Sequence, residues 1–401
     1  MNDLLLRNVR PMGEAACDVW IRQGRIAAMG PGLQVPTGTA EIDGQHALLL
    51  PGLVESHTHL DKTMWGMPWY RNEVGAQLTD RIDNERRWRA ATGHDARAQS
   101  LALAKAFLAQ GTTRIRTHVD IDTDAGLKHL HGVLAMREVL QPWLDLQIVA
   151  FPQSGLLGRP GTDALLDEAM ALGADVLGGL DPQGIDGQAE ASLNLLFALA
   201  QRHGKPLDIH LHEAGSMGAR TLGLILERVQ ALGMQGQVVI SHGFCLGDMP
   251  EAQRDAMLSR MAQLQVAVVT TGTPSRPVPD LLACRAAGVV LAGGNDGIRD
   301  AWTPYGKPDM LDRAMHIGLR NNLRRDDDIA LALASVTTEG ARACGWANYG
   351  LQAGCRADLV LVQAQTVAEA VVTQPVREWV LSAGQVVVQR GELIDAIAQL
   401  H

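Results

Sequence analysis

The chain contains no apolar run approaching about 18 residues, so no segment is long enough for a membrane-spanning helix. Its first residues, M-N-D-L-L-L-R-N-V-R, lack the apolar stretch of a secretory signal. No Lys/Arg-rich block occurs and the formal net charge is −9, which argues against a basic surface for nucleic acid. Cysteine is scarce. Cys17, Cys245, Cys284, Cys344 and Cys355 are scattered, odd in number and form no C-x-x-C. That pattern predicts reduced thiols in a cytoplasmic protein rather than a disulfide framework. Long linkers and fixed-length repeats are also missing. What is present is an ordinary globular composition, 46% apolar and 20% charged. With 401 residues the chain can bury a large core in one large domain or two to three smaller ones.

The pattern changes along the chain. Residues 1–50 read as short strands with tight turns, as in Cys17–Arg22, then Gln23-Gly24, then Arg25–Met29. Residues 351–401 read the same way, with a strand over 357–362 and a hairpin turning at Ala383-Gly384. Between them, short apolar strands alternate with amphipathic stretches. Strands are predicted over 148–151, 174–179, 206–212, 238–242, 266–270 and 289–292, and helices over 163–172, 190–202 and 220–232. Repeated β-α units of this kind predict an α/β fold, a (β/α)8 TIM barrel over 51–350. The two terminal segments, 1–50 and 351–401, are expected to meet as one small β-sandwich domain.

In such a barrel the site forms at the C-terminal ends of the strands. The stretch Val54-Glu55-Ser56-His57-Thr58-His59 follows an apolar run and presents two histidines one residue apart. Alternate residues of a strand share a face, so both imidazoles point the same way. Later strand ends carry His210, His212 and Glu213, then Ser241-His242, then Asn295-Asp296. Three imidazoles and a carboxylate suit one divalent metal ion such as Zn²⁺ or Fe²⁺, with an open position for water. Such an ion lowers the pKa of that water to about 7. Glu213 and His242 stand where protons could be moved. Other histidines have plainer readings. His212 is read as facing away from His210 and packing structurally, and His118 as either core or pocket lining. His94, His129, His131, His203 and His401 are read as surface residues.

The residues in this order resemble the amidohydrolase superfamily: H-x-H on the first barrel strand, His on the fifth, His on the sixth, Asp on the eighth. Leu50-Pro51-Gly52-Leu53-Val54 before the histidines and Gly354-Cys355-Arg356-Ala357-Asp358 near the end extend the resemblance over nearly the whole chain. The stretches 116–120 (Arg-Thr-His-Val-Asp), 147–153 (ending Phe-Pro-Gln) and 296–302 (Asp-Gly-Ile-Arg-Asp-Ala-Trp) resemble its cytosine deaminase branch. The resemblance implies a single metal held by His57, His59, His210 and Asp296. It implies catalytic roles for Glu213, His242 and Asp296, with Glu213 carrying protons to a ring nitrogen and His242 bonding the attacking water. Gln153 would pair with a ring nitrogen and carbonyl, and Trp302 would line the base pocket. A homo-oligomer is also implied, without an interface signature to support it. No lysine occurs between Lys128 and Lys205, so the bridging lysine of two-metal members has no counterpart on the fourth strand.

The implied reaction is hydrolytic deamination of a small heterocycle, releasing ammonia. The cytosine deaminase branch carries a second aspartate where this chain has Gly297. That difference predicts open space beside the ring and a 5-substituted cytosine such as 5-methylcytosine, with cytosine itself next and a place in pyrimidine metabolism. The chain also resembles the N-isopropylammelide amidohydrolase branch through Gln153-Ser154-Gly155, Gly178-Gly179-Leu180-Asp181-Pro182 and the stretch from Asn295 to Gly306. A triazine substrate, or a creatinine-like ring, is therefore the alternative. A non-catalytic scaffold is the remote one, since every expected ligand position is filled.

Overall fold

The computed structural model describes residues 3–75 and 78–401. Eight parallel strands follow one another in a single sheet. They are β1 (Leu53–Thr58), β2 (Thr112–Asp120), β3 (Asp145–Phe151), β4 (Val176–Leu180), β5 (Leu207–Leu211), β6 (Val238–His242), β7 (Ala267–Thr270) and β8 (Leu291–Gly293). Nearly every residue in them is buried. Parallel strands covered on both faces read as continuous apolar runs rather than alternating ones, which is how the sequence reads here. The sheet curls until its edges meet. Thr58 forms a parallel bridge to Asp296, whose N–H donates to the carbonyl of His57 at 2.8 Å. The hydrogen bond that closes the TIM barrel therefore joins two candidate site residues, His57 and Asp296.

The expected helices form close to their predicted bounds, at Thr162–Ala171, Ala189–His203 and Gly215–Ala231. They pack their apolar faces on the barrel through residues such as Leu166, Leu196 and Leu222. An additional helix, α1 (Leu78–Thr92), is mostly polar, with Trp88 buried, and lies between β1 and β2 in the chain.

The terminal segments meet in a separate, mostly antiparallel nine-stranded sheet. Leu48–Pro51 joins them, pairing antiparallel with Leu359–Val362 and parallel with Leu4–Pro11. Its two predicted hairpins turn at Gln23-Gly24 (φ 50° and 75°) and Ala383-Gly384 (φ 47° and 73°). Positive φ at both central residues matches the right-handed twist of the flanking strands. The chain then crosses into the barrel at Gly52, where a Cβ would come within 2.3 Å of Thr113 Oγ1. Buried Arg114 on β2 and Asp358 beside the sheet form an ion pair at 3.2 Å across that junction.

Candidate active site

His57 on β1 and His59 just past its end lie together, their ring centroids 5.5 Å apart. His210 from β5 joins them, 4.6 Å from His57 and 5.6 Å from His59. His242 at the end of β6 lies 4.9 Å from His57. Asp296 completes the group, with its Oδ1 3.2 Å from His59 Nε2 and 3.7 Å from His57 Nε2. The barrel thus brings together all four residues expected to hold a metal. Two of the site residues, His242 (φ 72°) and Asp296 (φ 64°), take the left-handed conformation that side chains normally avoid. Such strain gathers where a side chain must be aimed.

The aim of Asp296 is set from beneath. The buried Glu55 carboxylate accepts the N–H of His57 (2.9 Å), the N–H of Asn295 (3.0 Å) and the Asn295 amide (2.6 Å). Burial pushes this carboxyl up to about 7 against the pull of those hydrogen bonds. Arg313 grips the Asn295 carbonyl from the other side at 2.8 Å. Gly294 allows the close approach, since a Cβ there would lie 2.6 Å from His57 Cβ.

The donor set fits a divalent cation. His57 Nε2, His242 Nε2 and both nitrogens of His210 are buried without a hydrogen-bond partner. An unpartnered buried polar atom is costly, so these nitrogens call for a ligand. His57, His59 and Asp296 offer ligand atoms within 4.8 Å of one another, as do His57, His210 and His242. Burial, followed by repulsion from neighbouring groups, holds His118, His210 and His242 well below the usual histidine range, and His59 at about 4. Neutral rings with free lone pairs are what a metal needs.

Around this centre the expectations divide. Glu213 sits at the end of β5, its Oε1 accepting the N–H groups of Gln183 (2.8 Å) and Gly184 (2.9 Å). The Thr221 hydroxyl donates to its other oxygen. Gln153 lies buried after β3. Its carbonyl oxygen is already engaged by the Lys62 ammonium at 2.6 Å. Trp302 stands 5.4 Å from that ammonium and donates its indole N–H to Glu85 of α1.

Three readings need correction. The space expected beside Gly297 is filled: a Cβ there would lie 1.9 Å from the Asp300 carboxylate. Asp300 therefore presents a carboxyl beside the glycine, and burial pushes it up to about 7 despite nearby Lys62. His212 does not face away from His210. Residues two apart share a strand face, and its ring stacks on His242 at 4.4 Å while Asp181 holds Nδ1 at 2.7 Å. His94 and His129 are buried rather than superficial, with His129 bonded to Asp61 at 2.7 Å. His118 is wholly buried against His57, ring to ring at 4.0 Å.

Lys62, Glu85 and Asp300 were not singled out in the sequence. A signal existed for Lys62. The chain has five lysines, and this one falls three residues after the H-x-H pair.

Comparison with known proteins identifies the family. The amidohydrolase family model matches residues 40–388. The chain belongs to the amidohydrolase family. It is 30% identical over 399 residues to N-isopropylammelide isopropyl amidohydrolase of Pseudomonas sp. (strain ADP), covering 96% of this chain and 97% of that one. Among solved structures, N-isopropylammelide isopropylaminohydrolase from Burkholderia multivorans ATCC 17616 superposes with a TM-score of 0.96 at 61% identity, covering 98% and 100% of the two chains. The 5-methylcytosine deaminase of Klebsiella pneumoniae, liganded with 5-fluorocytosine, gives 0.86 at 28% identity, covering 97% and 98%. This amidohydrolase is thus a hydrolase acting on C–N bonds of ring compounds, in the cytosine deaminase-like part of the family. Among the described residues no helix is long and apolar enough to cross a membrane.

Proposed function

We propose that the chain hydrolyses the exocyclic C–N bond of an N-alkylated dioxo-triazine of the N-isopropylammelide type, releasing the alkylamine and leaving a third ring carbonyl. The observation that carries this reading is the pairing of Lys62 with Gln153. One Gln153 amide was expected to offer a donor and an acceptor to the N–C=O edge of a cytosine. Instead its acceptor is engaged by the Lys62 ammonium at 2.6 Å, itself countered by Asp120 at 3.3 Å and Glu85 at 3.7 Å, so the wall is weighted toward hydrogen-bond donors. A ring with two carbonyl oxygens and acidic N–H groups suits that wall better than cytosine, which has one carbonyl. The filled space at Gly297 removes the argument for a 5-substituent. Similarity over the full length to two N-isopropylammelide enzymes supports the same choice.

His57, His59, His210 and Asp296 would hold one divalent ion, Zn²⁺ or Fe²⁺. When bound, it supplies a water acidic enough to attack at neutral pH. The remaining work belongs to the protein. Lys62, Gln153 and Trp302 orient the ring. His242 directs the water through Nε2. Glu213 takes a proton from the water side and returns it to the ring nitrogen or the departing amine. Such acid–base help is typically worth 10²–10⁴ in rate.

A second reading is a cytosine or 5-methylcytosine deaminase, favoured by the likeness to the Klebsiella enzyme. One panel separates them. Metal-loaded enzyme is given N-isopropylammelide, cytosine, 5-methylcytosine, isocytosine and creatinine, with isopropylamine and ammonia measured separately. Isopropylamine release with the highest kcat/KM supports the proposal. Faster ammonia release from a cytosine overturns it.

A further inference from the structure

Beneath the candidate metal centre the barrel buries an ion pair that the reaction does not use. Arg116 on β2 donates from Nη1 to Asp208 Oδ2 on β5 at 3.0 Å. Both residues are almost wholly buried. A buried ion pair is weak support for stability, because desolvation consumes most of its attraction. This pair continues upward. The Ser241 hydroxyl lies 2.6 Å from Asp208 Oδ1, and His57 Nδ1 lies 2.8 Å from Ser241 Oγ. The parallel register of β5 and β6 sets His210 opposite Ser241, which brings the hydroxyl into this line.

We propose that Arg116, Asp208 and Ser241 form a relay that fixes the tautomer of His57 and so tunes metal affinity. The proposal rests on the metal site described above. A carboxylate paired with a guanidinium has only acceptors to offer. Ser241 therefore spends its single hydrogen on Asp208. Its oxygen then has only lone pairs left for His57, so Nδ1 must carry the ring proton. Nε2 is left bare, and it is the His57 nitrogen without a partner that faces Asp296 Oδ1 at 3.7 Å. Two lone pairs facing each other are stable only with a cation between them. Arg116 is itself fixed. It donates to Gln147 Oε1 from Nε (3.1 Å) and Nη2 (2.9 Å), and to the Cys344 carbonyl (3.1 Å). These are positioning residues, acting through His57.

The relay predicts an order of effects that a packing role would not produce. In Asp208→Asn the amide oxygen still accepts from Arg116, but its NH₂ now donates to Ser241. The hydroxyl then turns toward His57, and the ring proton moves to Nε2, where it blocks the metal. In Ser241→Ala the ring is merely released. Zn²⁺ affinity measured by chelator competition should fall about 100-fold in Asp208→Asn and about 10-fold in Ser241→Ala, the range for residues behind a ligand. Histidine ¹⁵N spectra of the metal-free proteins should show the His57 proton on Nδ1 in the parent and on Nε2 in Asp208→Asn, with His57→Gln identifying the resonance. Wild-type affinity in folded Asp208→Asn, or in Ser241→Ala if the first does not fold, overturns the relay. His57→Gln binding Zn²⁺ as tightly as the parent overturns the metal site itself, and the relay with it.

Discussion

At the scale of single residues, the site is a set of buried polar groups whose partners are either provided or conspicuously withheld. Glu213 is provided for, with donors on both oxygens, so its carboxyl is held in one place. Glu213→Gln keeps that shape and removes the proposed proton carrier. Turnover should fall on the order of 10³-fold with metal content unchanged; near-normal turnover in a metal-loaded variant would remove Glu213 from the proton path. Lys62 is the residue on which the triazine reading turns. Replacing it with Gln removes a charged hydrogen-bond donor worth about 2 kcal/mol, or roughly 30-fold in kcat/KM. The loss should be larger on N-isopropylammelide than on cytosine. Equal losses would show that Lys62 holds the pocket together without reading the ring.

At the scale of elements, α1 differs from the other barrel helices. Apart from buried Trp88, which packs with Met64 and Ala301, it is attached by charge rather than by an apolar stripe. Arg89 reaches Glu85 at 3.2 Å and Asp120 at 3.6 Å, and Arg86 reaches Asp124 at 2.8 Å. Lys62 completes the cluster, 3.7 Å from Glu85. Its countercharge and that of Arg89 pull the Glu85 carboxyl down to about 2 against the cost of burial. Because Glu85 also holds the Trp302 indole, the position of α1 and the shape of the pocket are linked. Arg89→Met leaves buried acids short of a partner, a change that costs about 3–5 kcal/mol. Hydrogen exchange should quicken in α1 while the helix Ala189–His203 keeps its protection, and kcat/KM should fall at least 10-fold. Unchanged exchange in α1 would mean that apolar contacts hold it instead.

At the scale of the whole molecule, the terminal sheet carries its own acid sensitivity. Asp18 is buried, which by itself would raise its pKa. Hydrogen bonds from Arg7 and from the N–H groups of Asn8 and Leu33 outweigh that and lower it. A carboxyl lowered on folding stabilises the protein above the unfolded value of about 3.9, and that stability is lost as pH falls through the folded value. The thermal midpoint should therefore drop on going from pH 6 to pH 3, and drop less in Asp18→Asn. Parallel declines in the two proteins would place the acid-sensitive groups elsewhere.

Much of this was legible in the sequence. Alternating strand and helix patterns marked the barrel, because buried parallel strands and amphipathic helices have different periods. The motif around His57 and His59 and the strand-end positions of His210, His242 and Asp296 marked the candidate metal site, because a barrel gathers strand ends at one face. Other features were decided only by the fold. Lys62 meets Gln153 from 91 positions away, and Glu85 meets Trp302 across 217. Nothing local signals such pairs. Gly297 reads as an opening in the sequence, yet Asp300, three residues on, folds back into it. A deleted side chain leaves space only if no neighbour fills it, and chain order does not show which neighbour will. The same holds for the proton on His57. That His57 is a ligand-type residue at ligand spacing is read from the sequence, but which nitrogen is bare depends on a serine, an aspartate and an arginine brought together from three other strand positions by the barrel's register.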